Sequence, residues 1–355
     1  MIPAFERYIE PFFGGGGVFF ALKTNKVSCL NDKSKDLVNF YKSLNDREFK
    51  VQSNLYADAW DQAGKLNKHL IYKEANLFNE FLSQSMDPLH LNLRLENLFD
   101  QLKYSDYKPL FDEDFILDRD KFIKSLCFSL ADKFNRIQSI SQKEKRIFNQ
   151  KELLNHFETG LKSGIYLYLR RMMNDVNSGN ISLHPSKAIA NWYFVREFCY
   201  GSMFRFNSKG EYNIPYGGIA YNRKNFRSKI RSLFSPEVKA LFEKSCIQNL
   251  DFENFLHSIQ LKEDDFIFLD PPYDSEFSEY DQNSFTRDDQ ARLAGILKKV
   301  KAKWMMVIKE TPFIRALYEE DGIFFLDFDK KYSYNMRGRN KRDAKHLIII
   351  NYLIT

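Results

Sequence analysis

The residues with the clearest chemical potential form the tetrapeptide Asp270-Pro271-Pro272-Tyr273, which follows the apolar run 266–269. The run has no polar alternation and is typical of a strand buried on both faces of a parallel sheet. Because prolines cannot donate to a strand ladder, the strand ends here, at the edge where open α/β sheets bind ligands. A carboxylate and a proline carbonyl can hold the exocyclic amine of a base by its hydrogens while the ring stacks on that base. The alternative interpretation is an ordinary strand exit in which Tyr273 fills a gap.

A second candidate site is the glycine run near the start of the chain. Glu10, Pro11 and Phe12 lead into four consecutive glycines, residues 14–17, and then into an apolar segment with helical spacing. Consecutive glycines lose much chain entropy on folding, so we expect them where backbone approaches a ligand between a strand and a helix. The run has neither a specific G-x-G-x-x-G spacing nor the Lys-Ser/Thr of a phosphate loop. A flexible loop is the alternative.

Two acids follow further strand-like segments. Asp32 ends the segment 26–32, about one βαβ unit after the glycine run, where Rossmann-like folds hydrogen-bond a ribose hydroxyl. It could equally be the N-cap of the next helix. Asp251 lies at the end of a third strand-like segment, 245–252, and precedes another helix. We therefore expect both acids at strand ends.

The pattern changes between residues 46 and 195, where helical periodicity dominates and glycine is sparse. This predicts a helical insertion between the two halves of an α/β core. We assign residues 1–48 and 245–355 to the core and residues 49–244 to the insertion.

A candidate DNA-contacting region lies within residues 204–218, where a turn at 207–210 separates two aromatic-alternating runs and predicts a hairpin. Basic segments follow at 222–231 and 336–342. Cations interleaved with amides and aromatics suit contacts with phosphates and base edges, whereas an edge hairpin whose cations oppose aggregation is the alternative. The predicted DNA contacts are Arg205, Asn207, Lys209, Tyr212, Asn213, Tyr216, Arg223, Lys224, Arg227, Arg337 and Arg339.

Composition narrows the class of protein. The net charge of +6 is compatible with a polyanionic partner. The 4 cysteines have no paired spacing and the 6 histidines form no cluster, so we expect core thiols in a reducing cytoplasm and no metal. No segment approaches the roughly 20 apolar residues of a membrane span, and we expect no signal peptide from the N-terminal residues.

The motifs and their order resemble the Dam-type adenine-specific DNA methyltransferases. Residues 10–16 are similar to the family's cofactor motif E-P-F-x-G-x-G, and Asn31-Asp32 lies where the family has its ribose-binding acid. Residues 207–217 are similar to part of its DNA-contacting hairpin, and residues 283–285 and the last strand also match. The resemblance covers both ends of the chain and the hairpin, but not most of residues 50–195.

The resemblance implies an α/β fold: a Rossmann-like methyltransferase sheet, mostly parallel with an antiparallel edge strand, and a largely helical inserted DNA-recognition domain. It implies a site-specific enzyme that transfers a methyl group from S-adenosylmethionine to N6 of adenine in double-stranded DNA without a metal, after flipping the base out. The catalytic residues would be Asp270, Pro271, Pro272 and Tyr273. The cofactor would be bound by Glu10, Pro11, Phe12, Gly14, Gly16, Asp32, Asp251 and Asp270.

The chain departs from the family before the glycine run. Members carry a K-W-A-G-G-K-like stretch there that touches the methionine end of the cofactor, and the printed sequence has none. We expect an upstream start, a partner subunit that supplies the element, or weakened or lost cofactor binding. A partner from a restriction or defence system is a further expectation. Two other functions stay open: methyl transfer to N4 of cytosine, and a non-catalytic DNA-binding subunit.

Overall fold

A computed structural model describes residues 1–73, 80, 87–203, 205–273, 285–331 and 343–354. The chain forms two compact units. Unit 1 comprises Met1–Asn45 and Ser235–Thr355, and unit 2 comprises Asp46–Phe234. The functional domain assignment, with boundaries after residues 48 and 244, stays a prediction.

The described part of unit 1 contains a seven-stranded sheet in the order β3-β2-β1-β4-β5-β7-β6. The strands are β1 Arg7–Glu10, β2 Val27–Asn31, β3 Ser245–Gln248, β4 Asp265–Leu269, β5 Lys303–Lys309, β6 Phe324–Lys331 and β7 Asp343–Ile350. Strands β1–β5 run parallel to one another, and β7 is antiparallel to both β5 and β6. The predicted mostly parallel sheet with an antiparallel edge is confirmed.

The structure describes twelve α-helices, numbered here in chain order. They are α1 Gly17–Leu22, α2 Lys35–Lys42, α3 Arg47–Lys73, α4 Pro88–Asp100, α5 Arg119–Glu144, α6 Gln150–Asn177, α7 Pro185–Phe198, α8 Phe226–Leu233, α9 Pro236–Glu243, α10 Phe252–Ser258, α11 Arg287–Leu297 and α12 Pro312–Tyr318. Helices α3–α8 form unit 2. None of the helices in the described part of the chain has both the length and the apolar composition of a bilayer span.

The core of unit 1 explains why the central strand is uniformly apolar. β4 is buried at every position, and Ile267 and Leu269 share a cluster with Trp304 of β5 and Leu293 of α11. Asp265 opens the strand, and both its carboxylate oxygens accept from Arg7 of β1, Oδ1 from Nε at 2.7 Å and Oδ2 from an η nitrogen at 2.6 Å. This two-point contact joins residues paired across the two strands, and it favours the observed register.

Helix α9 belongs to unit 1 although the sequence prediction placed it in the insertion. Phe242 packs on Tyr41, with ring centroids 5.5 Å apart, and on the Phe13 and Phe19 rings. These contacts tie the helix to the segment around the glycine run.

Unit 2 is built on the close packing of α5 against α6. A methyl group at Gly164 would lie 2.7 Å from Cα of Leu126 and 2.8 Å from the carbonyl oxygen of Ser125. Only glycine therefore allows the two backbones to approach this closely. The Ser125 hydroxyl donates to the Gly164 carbonyl at 2.9 Å, and a capping box of Asn149 and Glu152 starts α6.

Candidate functional site

Four of the predicted site acids follow one another along one edge of the unit 1 sheet. Strands β3, β2, β1 and β4 are parallel neighbours, so their carboxyl ends lie at the same edge. Glu10 is the last residue of β1, Asp32 and Asp270 directly follow β2 and β4, and Asp251 lies in the turn after β3. The structure thus brings the predicted cofactor acids and the D-P-P-Y segment together at what we call the carboxyl edge.

Glu10 lies at the centre of this edge and is only 2% exposed. The pKa of its carboxyl group is raised from 4.5 to about 8, mainly by burial and in smaller part by the nearby Asp270 and Asp32, while the Tyr8 hydrogen bond opposes the rise. The Tyr8 hydroxyl donates to Glu10 Oε2 at 2.8 Å. Glu10 therefore holds a proton at neutral pH, in a place that disfavours a further negative charge.

The glycine run adopts a turn that needs glycine at two positions. Gly14 and Gly16 have φ angles of +49° and +66°, in the left-handed region. A methyl group at Gly16 would approach the Phe13 ring to 2.8 Å, whereas one at Gly14 would meet no atom within 4 Å. At Gly16 the turn therefore packs against the Phe13 ring, whereas at Gly14 no atom occupies the space where a side chain would lie.

Asp32 holds this turn in place. Its Oδ2 accepts from the Gly14 amide at 2.8 Å and its Oδ1 from the Ser34 amide at 2.7 Å. Tyr41 donates to the Gly14 carbonyl at 3.1 Å. The N-cap of α2 is Ser34, so the alternative that Asp32 caps this helix is wrong; its carboxylate bridges two loops instead. Burial raises the pKa of Asp32, and the amides of Ser34 and Gly14 oppose the rise.

Asp251 has internal partners. It caps α10 by accepting from the Glu253 amide at 3.0 Å, and it pairs with Arg292 of α11 at 2.8 Å. Arg292 also contacts Glu253 and Asp289. The cofactor contact predicted for Asp251 stays a prediction, and the structure gives it a part in fixing α11.

Asn31 is a site residue to which sequence reasoning assigned no separate role. Its amide nitrogen donates to the carbonyls of Pro11 and Leu250, both at 3.1 Å, and its oxygen accepts from the Leu250 amide at 2.9 Å. Asn31 is 1% exposed. Asn31 therefore joins the loops after β1 and β3. The sequence signal that could have indicated this role was an amide side chain at the end of a strand-like segment. Phe12 packs nearby on Phe252 and Phe285.

The D-P-P-Y segment is contacted by Gln290 and His346. Asp270 and Pro272 are exposed, Pro271 is buried and Tyr273 is half-buried, with its ring edge-on to His346 at 5.4 Å. The fully buried Gln290 donates from Nε2 to the Pro272 carbonyl at 3.0 Å. Sequence reasoning missed Gln290. Its position in the helix was the available sequence signal. Gln290 lies three, four and seven residues before Leu293, Ala294 and Leu297, which are buried, and so it falls on the same buried face.

In unit 2, the predicted DNA contacts divide into exposed and internally bonded side chains. Arg205, Lys209 and Arg223 are exposed. Asn207 shapes the predicted turn by accepting from the amides of Lys209 at 3.0 Å and Glu211 at 2.9 Å. Beside this turn, the described residues form a single bridge between Phe206 and Tyr212.

The other predicted contacts in unit 2 have partners within it. Tyr212 and Tyr216 are buried, and their hydroxyls donate to the Met203 carbonyl at 2.8 Å and to Asn222 at 3.0 Å. Arg227 pairs with Asp58 and Asp61, and Lys224 lies over the Tyr221 ring at 3.9 Å. Asn213 is half-buried. Arg337 and Arg339 lie outside the described residues.

The sequence matches the family model for D12 class N6 adenine-specific DNA methyltransferases over residues 1–334. The chain therefore belongs to this family, which confirms the resemblance predicted from its motifs.

Curated relatives agree with this assignment. The chain is 35% identical over 168 residues to the type II methyltransferase M.CviBI of Paramecium bursaria Chlorella virus NC1A, covering 46% of this chain and 60% of that protein. It is 34% identical over 129 residues to the retron Ec67 DNA adenine methylase of Escherichia coli, covering 35% and 42%. It is 29% identical over 194 residues to the DNA adenine methylase of Vibrio cholerae serotype O1, covering 50% and 63%. The match thus spans about three fifths of the length of several curated relatives.

Proposed function

We propose that the chain transfers a methyl group from S-adenosylmethionine to N6 of adenine in double-stranded DNA. The observation that carries the proposal is the D-P-P-Y segment at the end of the fully buried β4, in a chain whose family is described as N6 adenine-specific. The relatives named type II methyltransferases support a restriction-modification context, in which a nuclease would be the functional partner. N4 of cytosine is the less supported acceptor, because no relative cited above carries that specificity in its name.

The acidic side chains of the carboxyl edge fit the cationic and hydroxyl groups of the cofactor. S-adenosylmethionine, when bound, supplies an electrophilic methyl group on a sulfonium cation, and it also carries an ammonium group and two ribose hydroxyls. Asp32 and Asp270 are close enough to Glu10 to raise the pKa of its carboxyl group. A cation placed here would therefore reduce the repulsion among the three acids. The uncovered backbone at Gly14 leaves room for a ligand beside Asp32.

Asp32 is the residue we assign to the ribose. Two backbone amides hold its carboxylate, which leaves lone pairs to accept from a hydroxyl. The hydrogen bond from Gly14 connects ribose binding to the shape of the glycine turn. Pro11, Phe12 and Gly16 would line the same site, with Phe12 held by its contacts to Phe252 and Phe285.

The chemistry at the target base is assigned to the D-P-P-Y segment. The Asp270 carboxylate and the Pro271 carbonyl accept hydrogen bonds from the N6 amino group, which localises the nitrogen lone pair for in-line attack. Tyr273 stacks on the extruded adenine, while its edge contact with His346 limits its rotation. The nitrogen–carbon bond would form as the methyl group's bond to the cofactor's sulfur breaks, and the N6 proton would leave to water after transfer. Catalysis then depends on positioning and electrostatics.

Unit 2 is the proposed DNA-binding part. Arg205, Lys209 and Arg223 are exposed cations that suit phosphate contacts. Tyr212 and Tyr216 are not part of this proposal, because their buried hydroxyls are bonded within the unit.

A direct test is incubation of the purified chain with S-adenosylmethionine and unmethylated plasmid, followed by mass spectrometry of the nucleosides. N6-methyladenine in the wild type, and its loss in Asp270→Ala with unchanged DNA affinity, would support the proposal. N4-methylcytosine would replace the acceptor. No modified base together with retained DNA binding would favour the non-catalytic subunit. Asp264→Ala, an exposed acid that precedes the same strand, is the control.

A further inference from the structure

A cavity of about 420 Å³ opens in unit 2 between α6 and the loop before α8. None of its residues is needed for the chemistry assigned to the carboxyl edge. Its volume lies within the range of small-ligand sites. The cavity is lined by Asn155, Glu158, Ile219, Ala220, Asn222 and Arg223.

The carboxylate of Glu158 is fixed at this wall by a buried cation. Lys162, 4% exposed, donates to Glu158 Oε1 at 2.6 Å and to the Asn222 carbonyl at 2.6 Å. Its ammonium also lies 4.7 Å from the Trp60 ring centroid. A buried ammonium needs such partners, so this contact fixes the position of the Glu158 carboxylate while its side chain stays 26% exposed.

The opposite wall is a loop whose inward polar groups are already bonded. The Asn222 side chain donates to the Thr159 hydroxyl at 2.9 Å and accepts from Tyr216 at 3.0 Å. Gly217 packs directly against the Tyr221 ring, where a methyl group would approach to 2.4 Å. The inner side of this loop is therefore fixed by packing and hydrogen bonds.

The outward residues of the loop are available to a ligand. Ile219 is 45% exposed, and Ala220 and Arg223 are exposed. The cavity thus presents one fixed acceptor, one cation and an apolar surface. An apolar lining with a few fixed polar groups is typical of small-ligand sites, where the polar groups provide the specificity.

We propose that this cavity reads one base pair of the target DNA. Glu158 accepts a hydrogen bond from the exocyclic amino group of a cytosine or adenine, and Arg223 contacts a neighbouring phosphate. The inference rests on the proposed function, because it takes DNA as the substrate. It adds a specificity-determining residue that lies in the helical insertion.

Charge decides which bases this site accepts. In the major groove, cytosine and adenine present amino donors, whereas guanine and thymine present oxygen acceptors that a carboxylate repels. A carboxylate near phosphates is unfavourable unless it receives such a donor. Glu158 should therefore select cytosine or adenine at one position and disfavour guanine and thymine there.

The test is selection of bound duplexes from a randomised DNA library by the full chain, which needs no methyl transfer. The wild type should enrich cytosine or adenine at one position. Glu158→Gln, whose amide can still accept from Lys162 and can also donate, should reduce that preference about tenfold and leave the other positions unchanged. Glu152→Gln is the matched control, because Glu152 lies on the same helix but pairs with Arg146.

Each outcome decides the proposal. An unchanged preference in Glu158→Gln, or an equal loss at every position, overturns it. If Glu158→Gln does not fold, Glu158→Asp keeps the charge for Lys162 and shortens its reach, so a weaker preference at the same position supports the proposal and an unchanged one overturns it. Plasmid methylation by the wild type is measured separately, so a failed methyltransferase proposal is distinguished from a failed base-reading proposal.

Discussion

The side chain of Gln290 donates a hydrogen bond to the carbonyl of Pro272 across 3.0 Å, from a fully buried position on α11. Because a carbonyl can only accept, this contact fixes the orientation of the amide and turns Oε1 the other way. That oxygen is buried and has no hydrogen-bond partner among the described residues. Gln290 therefore holds the D-P-P-Y segment in place, while its own buried Oε1 has no hydrogen bond within the described part of the chain.

We expect Gln290→Leu to lower the turnover number for methyl transfer about tenfold while the free energy of unfolding changes by less than about 1 kcal/mol. The substitution removes a donor that positions Pro272, but it also removes the unsatisfied oxygen. Steady-state kinetics and thermal unfolding measure the two quantities. Asp288→Asn, exposed on the same helix, is the control. Unchanged turnover would show that Gln290 only packs.

The buried Glu10 makes stability depend on pH. Its pKa is raised from 4.5 to about 8, mainly by burial, so the folded state binds its proton more tightly than the unfolded state. Its contribution is complete below about pH 4.5 and is lost progressively as the pH rises towards 8, by an amount on the order of a few kcal/mol.

We expect Glu10→Gln to remove this loss. The difference in the free energy of unfolding between about pH 5 and pH 8 should be smaller in the variant than in the wild type, because glutamine does not titrate. Urea unfolding at the two pH values measures it, with cofactor absent. Glu6→Gln, whose carboxylate is exposed and pairs with Lys26, should keep the wild-type dependence. Parallel curves for Glu10→Gln and the wild type would contradict the assignment.

Asp32 should control cofactor affinity. Asparagine has one acceptor oxygen, so Asp32→Asn can accept only one of the amides of Gly14 and Ser34 and turns a donor towards the other. We expect S-adenosylmethionine to bind about 10- to 100-fold more weakly by calorimetry. Asp36→Asn, in the first turn of α2, is the control. Equal affinity of the wild type and Asp32→Asn for S-adenosylmethionine would show that Asp32 does not contribute to cofactor binding.

The parts of the site that could be predicted from sequence are those encoded within one short segment. The D-P-P-Y tetrapeptide, the glycine run and Asp32 each end a strand-like segment, and parallel strands bring such ends to one edge. The apolar run before Asp270 likewise predicted the central strand, because burial on both faces removes polar alternation.

The remaining parts depend on contacts between residues far apart in the chain. The bond from Gln290 to Pro272 and the ion pair of Arg292 with Asp251 join separate segments, and no local pattern encodes either distance. Tyr212 matches the family's hairpin in sequence, but its burial depends on Asn174 and Met203, which bond to it from other elements. Local periodicity cannot report such pairings.

The packing of unit 2 can be tested at Gly164. A methyl group there would lie within 2.8 Å of α5 backbone atoms, so α5 and α6 would have to separate. We expect Gly164→Ala to destabilise the protein by about 2–4 kcal/mol. Gly64→Ala in α3 is the control, since a methyl group there meets no atom within 4 Å and should stabilise by up to about 1 kcal/mol. Similar stabilities for both variants would contradict the close approach.

Two arginines of the basic segment should differ in their effect on DNA binding. Arg223 is exposed at the rim of the cavity, whereas Arg227 donates to Asp58 and Asp61 at 2.5 Å and 2.7 Å. A phosphate contact releases a counterion, so we expect Arg223→Gln to weaken binding of all duplexes and to reduce the slope of log affinity against log salt by about 0.9.

Arg227→Gln should leave that slope unchanged, because the charge of Arg227 is already matched by two carboxylates. Its loss should instead reduce the free energy of unfolding by about 1 kcal/mol. Fluorescence anisotropy with one labelled duplex at several salt concentrations compares both variants with the wild type. A reduced slope in Arg227→Gln would mean that DNA displaces Asp58 and Asp61, and an unchanged slope in Arg223→Gln would exclude Arg223 from the phosphate contacts.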